Sequence, residues 1–561
     1  MPLPIPLSKK ALTVQLVFVA SLTSYAFLYV LPGLVLFPYG HLFFGVWILW
    51  RANRACEHLL LLLSWTRCHT AKPITVKTSQ KGLMIGDGFI WTGEHVYAIE
   101  RYLERFKSLP QEPSERGGSP AIHGCHRQRS KRIVLPYERL RSHVALEGST
   151  QSGKTRLLAN LVAQAIAANQ GATVIMDPKG SDDLTDAAMS AAARYHRRFA
   201  LIRPRLPEQS ERFNMISSCQ EPTDLPGRLR PLFPEGREAY FKEEPLALLQ
   251  RVSAMHKKLG WEWDIRHLHR DVMDLESLKF TLIQYMNILG APFSGVQKAH
   301  LPSFTKIKTE YASLGIEDPL IPQLFRPLVR TQEAHNDRFG NMDIALSGII
   351  DVDHSEIFGA EASLTWDEID HEEMVVIFRT DSLVTDQIGR NIASLFFQDF
   401  MGYMGLRYLH ATERRRPITI FVDEVGEVVY PNFRHAINKV GEAGGRLILT
   451  WQTDFDLDAQ LMKKAEADVI RANCQSRITM RLAHAEAAAT ISELSPEVTV
   501  EKRTASQVRL MGLKGSKGIT VEHEKIQLLN SNLLKGQPVG QCFLELDGSL
   551  YHVNIPREIK V

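Results

Sequence analysis

Eight consecutive residues, Gly148, Ser149, Thr150, Gln151, Ser152, Gly153, Lys154 and Thr155, fit the pattern G-x-x-x-x-G-K-[ST] without departure. A loop of this composition binds phosphate: glycines let the backbone turn and approach closely, and the curled N–H groups point at the anion. Lys154 is placed to reach the β- and γ-phosphates, and the Thr155 hydroxyl to hold Mg²⁺. The expected cofactors are therefore ATP and Mg²⁺. Hydrolysis needs carboxylates as well, and Asp423-Glu424 supplies a pair directly after the apolar run Ile418–Val422. In this reading Asp423 binds Mg²⁺ through water and Glu424 orients and polarises the attacking water. Gln452 closes another apolar run, Arg446–Trp451, and its amide is a candidate sensor of the γ-phosphate. Asp177 ends the run Thr173–Met176, where a loop-capping role and a catalytic one both stand open.

Such groups converge only on a particular scaffold. Val144-Ala145-Leu146 reads as a short strand entering the loop, and Arg156–Ala168 carries leucines and alanines at helical spacing behind it. The helix dipole then favours the bound anion. The runs at Thr173, Met374–Phe378, Ile418 and Arg446 are nearly all apolar, as strands buried on both faces of a parallel sheet are. Ligands of such sheets collect at the carboxyl ends of the strands, where all the candidate residues fall. The fold class expected is α/β, a RecA-like P-loop NTPase domain. Residues 225–345 separate its halves and show little strand signal. Glu244–Leu259, Leu275–Leu289 and Leu301–Leu314 carry apolar residues three and four apart, which predicts an inserted all-α domain. Gly82–Glu94 reads as a short β-hairpin with glycine-rich turns.

The chain has 561 residues, enough for several cores, and its formal charge of +3 gives no global argument for nucleic acid. Six scattered cysteines, none in a CxxC, make neither a disulfide framework nor a zinc site. The N-terminus is the skewed region. Residues 11–31 hold no charge, and 34–50 form a second uncharged run behind Pro32-Gly33. With Lys9, Lys10, Arg51 and Arg54 outside both runs, the pattern reads as a two-helix transmembrane hairpin with both ends in the cytoplasm. A cleaved signal peptide and an apolar region lying on the membrane surface are the alternatives. The expected division is an anchor over 1–66, a membrane-proximal segment and linker over 67–132, and nucleotide-binding parts at 133–224 and 346–561 flanking the insertion at 225–345. The basic cluster Arg127, Arg129, Lys131 and Arg132 in the linker reads as a solvated charge run before it reads as a phosphate contact.

Taken together, the hairpin, the P-loop, Asp177-Pro178-Lys179-Gly180, Phe213-Asn214, Asp423-Glu424, Gly444-Gly445-Arg446 running into Gln452, and Asn473–Arg481 before the helical Ala483–Leu494 resemble the type IV coupling proteins of bacterial conjugation and secretion. That is the TraD/TraG family, and Gly82–Glu94 is most similar to the TraD branch of integrative conjugative elements. The resemblance implies a multi-pass inner-membrane protein with its bulk in the cytoplasm, forming a homo-hexamer with ATP at the subunit interfaces. It implies single-stranded DNA with its relaxase or relaxosome as partner, handed to a type IV secretion channel. Protein effectors are the other cargo the family suggests. Where some relatives carry a basic residue proposed as an arginine finger, this chain has Gly441 and Glu442, which leaves Arg477, Arg446 and Arg434 as candidates. Arg446 is equally a structural salt-bridge residue. The long acidic tail of some relatives is not seen before Val561. Two other functions compete: an FtsK/HerA-type motor on double-stranded DNA, and a membrane cargo receptor that hydrolyses ATP poorly.

Overall fold

The protein was analysed as a computed structural model, which describes residues 47, 49–50, 74–75, 81–97, 99, 130–233, 240–350, 356–359, 363–410, 416–430, 433–461, 464–510, 513–556 and 559–560. The expected membrane hairpin and most of the linker, with its basic cluster at 127 and 129, lie outside the described residues. Among those described, no helix is long and apolar enough to cross a membrane.

The frame is one eleven-stranded sheet. In chain order its strands are β1 (Gly82–Ile90), β2 (Lys131–Pro136), β3 (Val144–Glu147), β4 (Thr173–Asp177), β5 (Phe199–Ile202) and β6 (Val375–Arg379). They continue as β7 (Ile418–Val422), β8 (Gly445–Trp451), β9 (Ser476–Thr479), β10 (Gln541–Leu546) and β11 (Ser549–Asn554). Across the sheet they run β2-β1-β11-β10-β9-β3-β8-β7-β4-β6-β5. From β9 to β5 every neighbouring pair is parallel. From β9 to β2 every pair is antiparallel. A separate antiparallel hairpin, Glu497–Leu510 with Leu513–Gln527, stands apart from the sheet.

Side chains alternate across the parallel strands and build two cores. Val144, Leu146, Ile175, Phe421 and Ile448 pack with Leu157, Leu158 and Leu161 of helix α1 (Lys154–Ala168) and with Leu184 and Ala188 of α2 (Asp182–Arg194). Ala145, Val174, Met176, Ile420, Val422 and Leu449 face the other way, onto Phe396, Phe397 and Phe400 of the long helix Ser382–Leu409. Helices on both faces are what allow the strands to be apolar throughout.

Between β5 and β6 the chain is helical: α3 (Tyr240–Leu259), α4 (Ile265–Met273), α5 (Leu275–Ile288), α6 (Phe304–Ser313), α7 (Ile321–Leu328) and α8 (Gln332–Ile350). The last helix runs past residue 345, since Leu346 and Ile349 still face the helical core. Phe213 packs under Phe396 and Trp366, and the Asn214 amide donates to the Trp263 carbonyl at 2.9 Å, tying the insertion to the sheet domain.

Gly82–Glu94 departs from the hairpin expectation. It is a single nine-residue strand inside the sheet, followed by a helical turn at 93–97. Its glycines are not turn residues: a Cβ at Gly86 or Gly88 would collide with the Asn554 or His552 carbonyl oxygen of β11. They permit close approach of a neighbouring backbone, which looks in sequence the same as a turn.

Candidate nucleotide site

Strands β3, β4, β7 and β8 end side by side, so their following residues share one edge of the sheet. The loop Gly148–Thr155 leaves β3 there. Gln151 has φ 62° and Gly153 φ 104°, and α1 begins at Lys154 with no side chain capping its N-terminus. Left-handed residues within the loop turn successive N–H groups inward, and an uncapped helix start adds its free amides. Only glycine takes the Gly153 conformation without strain. Gly148 is required for another reason, since a Cβ there would press on Met480 and on the Ser152 hydroxyl. The loop is braced from outside as well. Ser149 N donates to the Arg481 carbonyl at 2.8 Å, Ala483 N donates to Ser149 Oγ at 2.7 Å, and Gly540 N donates to the Ser152 carbonyl at 3.2 Å.

The Lys154 ammonium donates to the Trp451 carbonyl at 3.0 Å. Burial lowers its pKa, while Glu424 and Asp423 counter that shift. Asp423 and Glu424 follow β7 directly. Asp423 accepts from Thr450 Oγ1 at 3.0 Å, and the same hydroxyl accepts from Glu424 N at 2.9 Å. Burial raises the Asp423 pKa. Glu424 sits at φ 73°, a left-handed conformation that an L-residue holds at a cost. Its carboxylate accepts from Lys179 Nζ at 2.5 Å and from Gln452 Nε2 at 3.2 Å. Gln452 Oε1 in turn accepts from Thr150 Oγ1 at 3.0 Å, so one amide joins the phosphate-binding loop to the carboxylate pair. Asp456 holds that residue in place by accepting from Gln452 N and Thr453 N.

Thus Lys154, Thr150, Asp423, Glu424 and Gln452 meet at one sheet edge. Asp177 ends β4 beside them, and in this structure its carboxylate is engaged in a turn. Its two oxygens accept from Gly180 N at 2.8 Å and Ser181 N at 2.5 Å, closing the turn into α2, and burial pushes its pKa up to about 6. Two partners had no role assigned from sequence. Lys179 follows Asp177-Pro178, and a lysine on a strand-end loop beside a carboxylate pair was the available signal. Thr450 is the one hydroxyl in the run Leu447–Trp451.

Arg446 lies at the opposite end of β8 from Gln452. Its guanidinium bonds Gln170 Oε1 at 3.0 Å and stacks over Tyr137, and burial lowers its pKa to about 10. That is a structural environment. Arg477 is half-buried on β9, its charge held by Glu147, Asp454 and Glu545 against burial. Arg434 falls outside the described side chains.

The site fits a nucleotide with Mg²⁺ on the chemistry of its groups: an uncapped helix start, the Lys154 ammonium, the Thr155 hydroxyl and the Asp423-Glu424 carboxylates. A mainly parallel sheet with this loop after one strand and an acidic pair after another defines a RecA-like P-loop protein. Residues 417–538 match the family model described as the TraM recognition site of TraD and TraG. No curated protein matches the chain. Among solved structures it is similar to the bacterial conjugative coupling protein TrwBdeltaN70 in an unbound monoclinic form, at 12% identity and TM-score 0.51, covering 76% of this chain and 87% of that one. It is also similar to plasmid coupling protein TrwB in complex with the non-hydrolysable ATP analogue ADPNP, at 13% identity and TM-score 0.51, covering 88% and 98%. A third likeness is to TrwB with ADP and Mg²⁺, at 13% identity and TM-score 0.50, covering 76% and 91%. At these identities the likeness is one of fold. The family match and the fold together support the TraD/TraG type of coupling protein that the motifs resemble.

Proposed function

We propose that this protein is an ATP-driven coupling protein of conjugation, anchored in the bacterial inner membrane. It would link relaxase-bound single-stranded DNA, or a protein substrate, to a type IV secretion channel. The observation that carries the proposal is the bridge of Gln452 between Thr150 of the phosphate loop and the Glu424 carboxylate. An amide in contact with both groups can pass the state of the loop to the residue that activates water.

The bound Mg²⁺ would neutralise phosphate charge, held by Thr155 and Asp423. Lys154 exchanges the Trp451 carbonyl for phosphate oxygens when nucleotide enters. Glu424 orients the attacking water and takes its proton, a role the Lys179 ion pair restrains while it lasts. Thr450 holds Asp423 and the Glu424 backbone in register. The hexamer and the membrane anchor rest on the sequence resemblance alone, and the relaxosome contact rests on it together with the family match over 417–538.

The test is steady-state ATP hydrolysis by the full-length protein with and without a single-stranded oligonucleotide, set against a duplex of the same length. Stimulation by the single strand, together with DNA transfer that stops in Lys154→Ala, is the expected result. Stimulation by duplex alone would favour the FtsK/HerA-type motor. Transfer that survives Lys154→Ala and Glu424→Gln would refute a motor of any kind.

A further inference from the structure

Outside the nucleotide site, the helical insertion holds a cavity of about 520 Å³ between α3, α7 and α8. Its walls include Glu244 and Arg251 of α3, Arg326 of α7, Arg330 between α7 and α8, and Arg338 and Phe339 of α8. Glu244 and Arg251 are two helical turns apart and share a face. Four guanidiniums thus meet one carboxylate, a formal surplus of three positive charges.

Arginine cannot relieve such a surplus by losing a proton. The one internal carboxylate shows what the cavity accepts. Glu244 is gripped by Arg338 Nε through one oxygen and lies 3.5 Å from Arg330 Nη2 through the other. Arg251 Nε donates to a neutral oxygen, Gln323 Oε1, at 2.9 Å, and Arg326 is exposed at the rim. A concave site with one sign of charge concentrates its potential, and planar guanidinium forks suit carboxylates held bidentately. A nucleic-acid strand would be served differently, by a long basic groove with aromatic faces open to stacking. Here the one aromatic side chain among the described lining residues, Phe339, is buried and Arg330 lies over its ring.

We propose that this cavity receives a carboxylate-rich segment of a partner protein, with Arg251 and Arg326 as the receiving groups. The inference gives the helical insertion a partner chemistry, and it rests on the proposed function only in taking that partner as cargo or a cargo adaptor.

The experiment is fluorescence anisotropy of a labelled deca-glutamate peptide with the detergent-solubilised full chain, without nucleotide. The double variant Arg251→Gln/Arg326→Gln leaves the grip on Glu244 intact and should bind about a hundredfold more weakly, about tenfold for each charge-assisted contact. Glu244→Gln should bind more tightly than wild type, because it releases Arg330 and Arg338, and misfolding would not produce that gain. No binding by wild type, or equal binding by all three proteins, would overturn the proposal. So would an unlabelled oligothymidylate whose binding is lost in the double variant while the peptide fails to compete. Peptide binding by a protein without ATPase activity would refute the motor and leave this site standing.

Discussion

Glu424→Gln separates binding from hydrolysis with least disturbance to the structure. Glutamine keeps the length of the side chain and adapts to the left-handed backbone as glutamate does, at φ 73°. The carboxylate is 8% exposed and has two neighbours, Lys179 and Gln452. Lys179 loses its ion pair, yet its side chain is 38% exposed and turns to water, so the stability cost is about 0–1 kcal/mol. Burial works against the charge on Lys179, and the pair with Glu424 outweighs it, holding that pKa above its ordinary value. The variant should therefore fold with an almost unchanged thermal midpoint. What it lacks is the group proposed to take a proton from water. General base catalysis contributes about 10²–10⁴-fold, or roughly 2.7–5.4 kcal/mol at 1.36 kcal/mol per decade. The expected outcome is a fall in kcat of that size, with the Kd of a fluorescent ATP analogue within about tenfold of wild type, because Lys154 and the loop amides are untouched. Coupled-enzyme turnover and equilibrium titration of the same preparation measure both. A kcat within about threefold of wild type would refute the assignment of the base, and a lost affinity would place Glu424 in binding instead.

Gln452→Ala removes the bridge between Thr150 and Glu424, and one of the two lost bonds is to a charged group. We expect kcat to fall by about 10- to 150-fold with ATP affinity kept, and unchanged turnover would sink the sensor role. Glu147, fully buried at the end of β3, has its pKa pushed up to about 7 by burial, with Arg477 drawing it down and Asp454 raising it. Folding therefore takes up a proton between the ordinary carboxylate range and pH about 7. The favourable contribution is complete below that window and is lost as pH rises through it, on the order of 3 kcal/mol. Glu147→Gln should gain stability relative to wild type between pH 5 and pH 8 in chemical denaturation, and an equal gap at both pH values would contradict this. Asp271, buried in the helical insertion, accepts from His256 Nε2 at 2.9 Å and Thr281 Oγ1 at 2.7 Å and pairs with Arg270 at 3.0 Å. Asp271→Ala should cost about 3–5 kcal/mol, seen as early melting of the insertion by hydrogen exchange, and full protection there would show the cluster to be dispensable.

Local sequence carried most of the nucleotide site because its parts are consecutive residues. A phosphate loop needs glycine, lysine and a hydroxyl within one turn of chain, and a carboxylate pair must follow its strand directly. The runs Thr173–Met176, Ile418–Val422 and Leu447–Trp451 were legible because strands buried on both faces tolerate little but apolar side chains. Helices α3 and α5 were legible through their spacing, with α3 beginning at Tyr240, ahead of the periodic stretch. Gly82–Ile90 was misread because its true neighbours, β2 and β11, are set by pairing across long stretches of chain, and a glycine admitting a carbonyl resembles one that turns.

The sequence by itself determined that a phosphate-loop motif, a carboxylate pair behind an apolar strand and a helical insertion occur in this chain, since each is written in neighbouring residues. Only the tertiary structure decided how they are coupled. Lys179 on Glu424, Thr150 on Gln452, Arg446 on Tyr137 at the far end of its strand, and Arg330 and Arg338 on Glu244 are contacts between segments distant in the chain. The order in which strands line up selects these contacts, because burying both faces of one sheet leaves each strand end a single set of neighbours.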